Sequence, residues 1–406
     1  MDYLLEKATR QHTKDHNSRL VLRAIYDRGE VSRADLARLT HLTRTTISEV
    51  VGELIERGLV EEIGHGAIAI GRMPIMLSMA DDSRHVVAVS VTNDEVQGAL
   101  VNLRGSLRRE ARLPLPSRES ATVLATIYAL LDDLTHRAEH PLLGIGINTP
   151  GLVDARSGTV LRAVTFGWED VPLGNLLKER YRLPVSVAND SQTLALARYM
   201  FGENPSTPNL VVIKVGRGIG AGIVLGGHLF SGDGYGAGEI GHMVVVENGV
   251  RCNCGNHGCL ETVASSAVIL RQAYELAVAN SHSALHHRAT SPDALTVADL
   301  AWAATAGDAG IHQIIAGAGR YLAIAVANIV SVLNVHQIVI TGRVAPLGNL
   351  LGDAIRIELA RRALPTLVRG TLVEVAEMGP EAPLVGAIAP LLTQELGLAR
   401  LQRRAD

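Results

Sequence analysis

A pattern that occurs twice constrains this chain more than any other. The stretches "HVVAVSVTNDEVQGALVNLRGSL", from His85, and "NLVVIKVGRGIGAGIVLGGHLF", from Asn209, each read as apolar strand, tight turn, apolar strand, and "GIVLGGHLF" echoes "ALVNLRGSL". The helix "ATVLATIYALLDDLTHRA" and the short strands "LLGIGIN" and "VSVAN" follow the first copy. Repetition at this length implies two similar α/β halves, with ligands held in a crevice at the carboxyl ends of strands. At 406 residues, 47% hydrophobic and 19% charged, the chain can bury two or three cores. Residues 280–295, "NSHSALHHRATSPDAL", lack a period and read as a surface excursion with solvated histidines.

The first eighty residues have another texture. Leu20, Val21, Ala24 and Ile25 fall at helical spacing before Gly29, and "SRADLARLT" follows with Ser32 as N-cap and Asp35 completing a capping box. In "TRTTISEVVGELIERG", Ile47, Val50, Val51, Leu54 and Ile55 repeat with a helical period and Gly58 ends the run. The opposite face begins with Thr43, Arg44, Thr45, Thr46 and Ser48, hydroxyls and a guanidinium suited to base edges in a major groove. "GLVEEI" and "AIAIGRMPIMLSM" predict a hairpin wing carrying Arg72. From Lys7 to Arg44 there are nine Lys and Arg against four Asp and Glu; residues 45–80 hold two against five. The spacing from Ser32 to Gly58 and the wing agree on a winged helix-turn-helix that binds DNA, against the plainer reading of a solvated three-helix bundle.

Net charge is only −3, so any nucleic-acid contact has to be local. The opening "MDYLLEKATRQHTKDHN" lacks the succession of a signal peptide, and apolar runs break before membrane-spanning length, which points to a cytoplasmic protein with no membrane partner. The only cysteines, Cys252, Cys254 and Cys259, stand within "RCNCGNHGCLE". Three thiols in a reducing compartment make a poor disulfide framework and a good metal site, with Gly255 and Gly258 permitting the sharp turn. His242 in "GEIGHM" is the favoured fourth ligand and His257 its rival; Cys3His is a recurrent structural zinc set. Glu239 precedes this cluster, Glu261 follows it, and "VAND" ends an apolar strand with Asn189 and Asp190. That mixture of acceptors and donors suits a polyol.

Taken together, "GINTPGLVD" (146–154), "VAND" (187–190), "VGRGIGAGIVLGG" (215–227), "GEIGH" (238–242) and "CNCGNHGCLE" (252–261) resemble the ROK family of repressors and sugar kinases, specifically its xylose and N-acetylglucosamine repressor branch. The resemblance implies a two-lobed, actin-like sugar-kinase fold behind the winged helix. It divides the chain into a DNA-binding domain (1–80), a first lobe (81–205) and a second lobe (206–406) whose last helix returns to the first. It also implies one zinc on His242, Cys252, Cys254 and Cys259, and sugar contacts from Asn189, Asp190, Glu239, His242 and Glu261, beside the turn at Pro150 and Gly151. Asp190 matches the general base of the kinases. Departures oppose catalysis: "SVTNDEV" stands where kinases carry a glycine-rich phosphate loop, "TGRV" (341–344) replaces adenosine-side glycines, and Thr165 and Phe166 stand where a sugar-binding Asn is usual. The expectation is a non-enzymatic, sugar-responsive regulator acting on operator DNA as a homodimer or homotetramer. The rivals are a sugar kinase with an added DNA-binding domain, and a regulator run by a partner protein.

Overall fold

The computed structural model describes residues 10–65, 74–202 and 207–398, which form two compact units. The first comprises the chain up to Ala188 and again from Ala387; the second runs from Asn189 to Gly386. The division between the two units falls between Ala188 and Asn189.

The first unit opens with α1 (Arg10–Arg28), β1 (Val31–Ser32), α2 (Arg33–Thr40) and α3 (Arg44–Glu56). The apolar period marks only residues 18–28 as helical, yet α1 extends back to Arg10. Its added turns are polar and exposed, propagated from the buried turns of Val21, Leu22 and Ile25. Ser32 accepts the Asp35 N–H while the Asp35 carboxylate accepts from the Ser32 backbone, which closes the expected capping box. His41 makes the turn between α2 and α3 in the left-handed region, φ 57°. Ile47, Val50, Val51 and Leu54 are buried, and Ile55 is half-buried. The wing strands β2 (Val60–His65) and β3 (Ile75–Met79) pair antiparallel, with β1 against the other edge of β3. Residues 66–73, which include Arg72, lie outside the described residues.

The unit continues with β4 (His85–Val91), β5 (Glu95–Asn102), β6 (Leu107–Pro114), α4 (Ser120–His136), β7 (Leu142–Thr149), the small sheet β8 (Leu152–Asp154), β9 (Thr159–Ala163) and β10 (Trp168–Val171), then α5 (Leu173–Tyr181) and β11 (Val185–Asn189). Five strands align as β11-β7-β4-β5-β6. β4 runs antiparallel to β5 and parallel to β7, and α4 buries Ile127, Leu130 and Leu131 in the same core as Val87, Val89 and Ile147. The winged-helix module is fastened to this sheet by Arg104 in the β5–β6 turn. Its guanidinium donates to the Tyr26 carbonyl, stacks 4.4 Å from the Tyr26 ring centroid and pairs with Asp81 at 3.0 Å.

The second unit holds α6 (Asp190–Phe201), β12 (Leu210–Val215), β13 (Ile219–Leu225), β14 (His228–Leu229), α7 (Glu261–Ala264), α8 (Ser266–Ala279), α9 (Val297–Thr305), α10 (Ala309–Leu333), β15 (Gln337–Gly342), α11 (Gly348–Arg362), α12 (Pro365–Val368), β16 (Leu372–Val375) and the start of α13 (Ala382–Leu396). Its sheet, β14-β13-β12-β15-β16, repeats the first: an antiparallel meander of three, then two more strands on the side of the first. The duplicated half inferred from the two sequence echoes is thus a duplicated topology. Residues 280–295 are more firmly anchored than a surface excursion suggests. Leu285 and Leu295 enter the core, Ser283 donates to Asp308 at 2.7 Å, and His286 is half-buried with Nδ1 2.8 Å from the Ala277 carbonyl oxygen; His282 and His287 are exposed. α10 is long and apolar enough to cross a bilayer by length and composition, but Ile315, Leu322, Val326 and Val330 bury it in this unit's core.

Candidate functional site

The site of the second unit is built against the backbone of β13. Side chains on Gly220 or Gly222 would collide with α6: a Cβ would lie 2.6 Å from Ser191 Oγ in the first case and 2.4 Å from the Ser191 carbonyl oxygen in the second. Gly238 (φ 100°) and Gly241 press on the other side, where a Cβ would come within 1.9 Å of the Ala221 carbonyl oxygen and 2.2 Å of that of Ile219. The glycine-rich strand and "GEIGH" therefore bring α6 and the 239–242 turn onto one strand. Neither glycine set requires a phosphate to explain it.

The segment after this turn does not form a full strand. Isolated bridges join Val244 to Cys259 and Arg251 to His257, and Val245 and Val246 donate to the Gly258 carbonyl. A Cβ on Gly258 (φ 74°) would lie 1.7 Å from the Val246 carbonyl oxygen, so only glycine closes the loop. The loop returns the three thiols to His242: the ligand atoms of His242, Cys252, Cys254 and Cys259 all lie within 4.8 Å of one another. His242 Nδ1 is 3.7 Å from Cys252 Sγ, and Cys254 Sγ is 3.6 Å from Cys259 Sγ. A tetrahedral cation with bonds of about 2.3 Å to sulfur would separate its sulfurs by roughly 3.8 Å, so the donor set fits one structural metal ion. Charge points the same way. Burial, then hydrogen bonding and repulsion among the thiols, pushes Cys259 up to about 12, and a cation would relieve that repulsion. His257 is exposed and outside the cluster.

The other ring nitrogen of His242, Nε2, lies 3.8 Å from Glu239 Oε2. One imidazole thus has the sulfur cluster on one side and a carboxylate on the other. The Glu239 carboxyl is raised above the usual range by desolvation, with Asp190 and Glu261 adding to the rise and His242 opposing it. Glu261 opens α7 and accepts the Ile219 N–H at 3.3 Å. Asn189 caps α6, its Oδ1 accepting from the Ser191 and Gln192 N–H groups, so this oxygen serves the helix. Asp190 sits in the first turn of α6, where the helix dipole favours its charge, and its Oδ2 accepts from Lys214 Nζ at 2.5 Å. Lys214 is a site residue whose one sequence signal is that it is the lone cation in "NLVVIKV".

In the DNA-binding module, the Thr43 hydroxyl caps α3 and lies 2.9 Å from the Thr46 hydroxyl; the Ser48 hydroxyl returns to the Arg44 carbonyl at 3.0 Å. Arg44 and Thr45 are exposed and make no side-chain hydrogen bond among the described residues. Much of the neighbouring basic charge is paired: Lys14 with Glu53, Arg33 with Glu62, Arg38 with Asp35. The unpaired positive charge is therefore smaller than a count of residues suggests.

A protein-family model described as the ROK family matches residues 86–394. The chain belongs to the ROK family. A second model, of the MarR family, matches residues 17–67 and so covers the helix-turn-helix. Relatives of this ROK chain span both modules. The xylose repressor of Caldicellulosiruptor bescii is 29% identical over 387 residues, 94% of this chain and 97% of its own. The DNA-binding transcriptional dual regulator NagC of Escherichia coli K12 is 32% identical over 354 residues, 86% of each chain. Among solved structures, a ROK family transcriptional regulator described as a homolog of the E. coli MLC protein superposes with a TM-score of 0.82 at 29% identity, over 95% of this chain and 98% of that one. A ROK family glucokinase from Streptomyces griseus, at 27% identity and a TM-score of 0.65, covers 78% of this chain, so the likeness to the regulator reaches further along it.

Proposed function

We propose that this ROK protein is a sugar-responsive transcriptional repressor. It binds operator DNA through α3 and the wing, with Thr43, Arg44, Thr45, Thr46, Ser48 and Arg72 at the interface. It binds a sugar through Asn189, Asp190, Glu239, His242 and Glu261. One zinc ion on His242, Cys252, Cys254 and Cys259 holds the floor of the sugar site in shape, in a closed ligand set without a position for a reactive water. Two chains on a palindrome would set paired recognition helices one turn apart, which favours a homodimer or a tetramer of such dimers. The sugar lowers the population of the operator-competent form because it binds the other form better.

The observation that carries this reading is the position of His242 between the thiols and Glu239. A ring fixed by metal at Nδ1 presents Nε2 in one tautomer and one orientation, so metal and effector are read by the same side chain. Two features support the absence of kinase turnover. The β4–β5 turn carries Asp94 beside Asn93 and is pinned by Thr92 hydroxyl hydrogen bonds and by Arg118, a poor cradle for phosphates. Asp190 Oδ2 is already engaged by an ammonium group, which competes with a substrate hydroxyl for that oxygen.

Thermal shift against a sugar panel, with gel-shift assays on upstream DNA, tests the effector and operator halves. Cys252→Ser should lose metal and effector response together. A variant that lost zinc yet still released DNA on sugar addition would separate the two sites and defeat the coupling. Sugar-dependent ATP turnover that vanished in Asp190→Asn would restore the kinase reading.

A further inference from the structure

We infer that Lys214 is the second half of the sugar site: with Asp190 it forms a donor–acceptor pair that selects neutral sugars bearing two adjacent free hydroxyls. The inference rests on the sugar-binding reading above and adds to it a residue and a ligand class.

Lys214 is the only charged residue of β12, and the other five residues of that strand are buried. Burying the stem of a lysine in a strand otherwise made of Leu, Val and Ile opposes folding unless its head is satisfied. The head reaches Asp190 Oδ2 at 2.5 Å, and the two side chains keep 34% and 19% of their surface exposed, so a ligand can meet both. Opposite Lys214 on β13 stands Gly220, whose missing side chain lets Ser191, next to Asp190, approach the sheet. Ser191 Oγ in turn donates to Asp190 Oδ1 at 3.3 Å. The carboxylate is thus oriented at both oxygens, while the ammonium retains donors beyond the one it gives to Asp190.

An oriented carboxylate beside an ammonium offers an acceptor next to a donor. Adjacent sugar hydroxyls offer the complement: one O–H to give and one oxygen to receive. A single hydroxyl, or a pair with one oxygen removed, leaves one member of the ion pair facing the ligand without a partner, which is how hydrogen-bonding sites reject analogues. Charge narrows the class further. Asp190 on Lys214, Glu239 beside His242 and Glu261 on the Ile219 N–H place three carboxylates around this stretch, which disfavours a phosphorylated or acidic sugar.

The test uses the full chain with metal content measured in every sample. D-xylose, D-glucose and N-acetyl-D-glucosamine are titrated by calorimetry, followed by the deoxy derivatives of whichever binds. Wild-type protein should bind at least one, and removal of one member of a hydroxyl pair should weaken binding at least tenfold. Lys214→Met, uncharged and similar in length, should bind the parent sugar at least tenfold more weakly, keep its metal, and lose the discrimination against that deoxy sugar. Lys214→Arg, which keeps the charge and carries the test should the methionine variant fail to fold, should bind with an altered preference among the deoxy sugars. Unchanged affinity and unchanged discrimination in both variants would overturn the role of Lys214 while leaving the sugar-binding reading intact. A wild-type protein that binds none of the three sugars would take both down.

Discussion

Arg44 and Lys214 show how differently single side chains declare themselves. Arg44 stands where the first turn of a recognition helix is expected, and the structure leaves it exposed while neighbouring cations are paired. Arg44→Ala should weaken specific operator binding by about 1–3 kcal/mol and relax discrimination at one base position, measured by fluorescence anisotropy on operator and scrambled duplexes. Equal affinity on operator DNA would place the side chain away from base edges. Lys214 could not be assigned from the sequence, because its meaning depends on Asp190, 24 positions earlier and on another element. The ligand set of the thiol cluster was readable because three of its members lie within eight residues. Between His242 and His257, loop geometry favours His242, which it gathers with the three thiols while His257 stays outside the cluster.

Helices with local signals were anticipated to within a residue or so, and those without were not. Ser32 and Asp35 fix the start of α2 through contacts three positions apart, so sequence alone suffices. Ser32→Ala should cost about 1 kcal/mol, visible as a lowered urea midpoint with unchanged slope, and Thr43→Ala at the start of α3 should cost a similar amount. An unaltered midpoint in both would mean that tertiary packing alone fixes the two helix starts. The opening turns of α1 and the short strands β8, β9 and β10 are not legible in the sequence, for a shared reason. The former are polar and the latter span only three to five residues, so neither displays an apolar period long enough to recognise. The echo between "HVVAVSV" and "NLVVIKV", by contrast, carried over into the strand order of two sheets, because a meander closed by tight turns is fixed by local alternation.

Just beyond the winged-helix module, Asp81 and Asp82 each form an ion pair with an arginine of the sheet's outer turn and strand, Arg104 and Arg108. Hydrogen bonding from Arg108 holds the Asp82 carboxyl at about 2, against the opposing effect of burial and with further help from His85. A carboxyl depressed on folding adds stability above the usual carboxyl range that is lost as pH falls through its folded value, so this contribution should fade between about pH 4 and 2. Asp82→Asn should therefore flatten the acid limb of melting temperature against pH, and an unchanged limb would show that other carboxyls dominate it. Arg104 draws a different consequence from the same pairing. It holds the Tyr26 carbonyl, the Tyr26 ring and Asp81 from a turn that lies past the boundary at which one would cut the two modules apart. A chimera joined near residue 80 keeps Asp81 but would place a foreign reading head on a clamp shaped for Tyr26, and should bind its operator yet ignore its inducer. Grafts that restore a tyrosine at the place of Tyr26 should remain inducible, which makes the clamp the natural unit of exchange in building regulators with new operators.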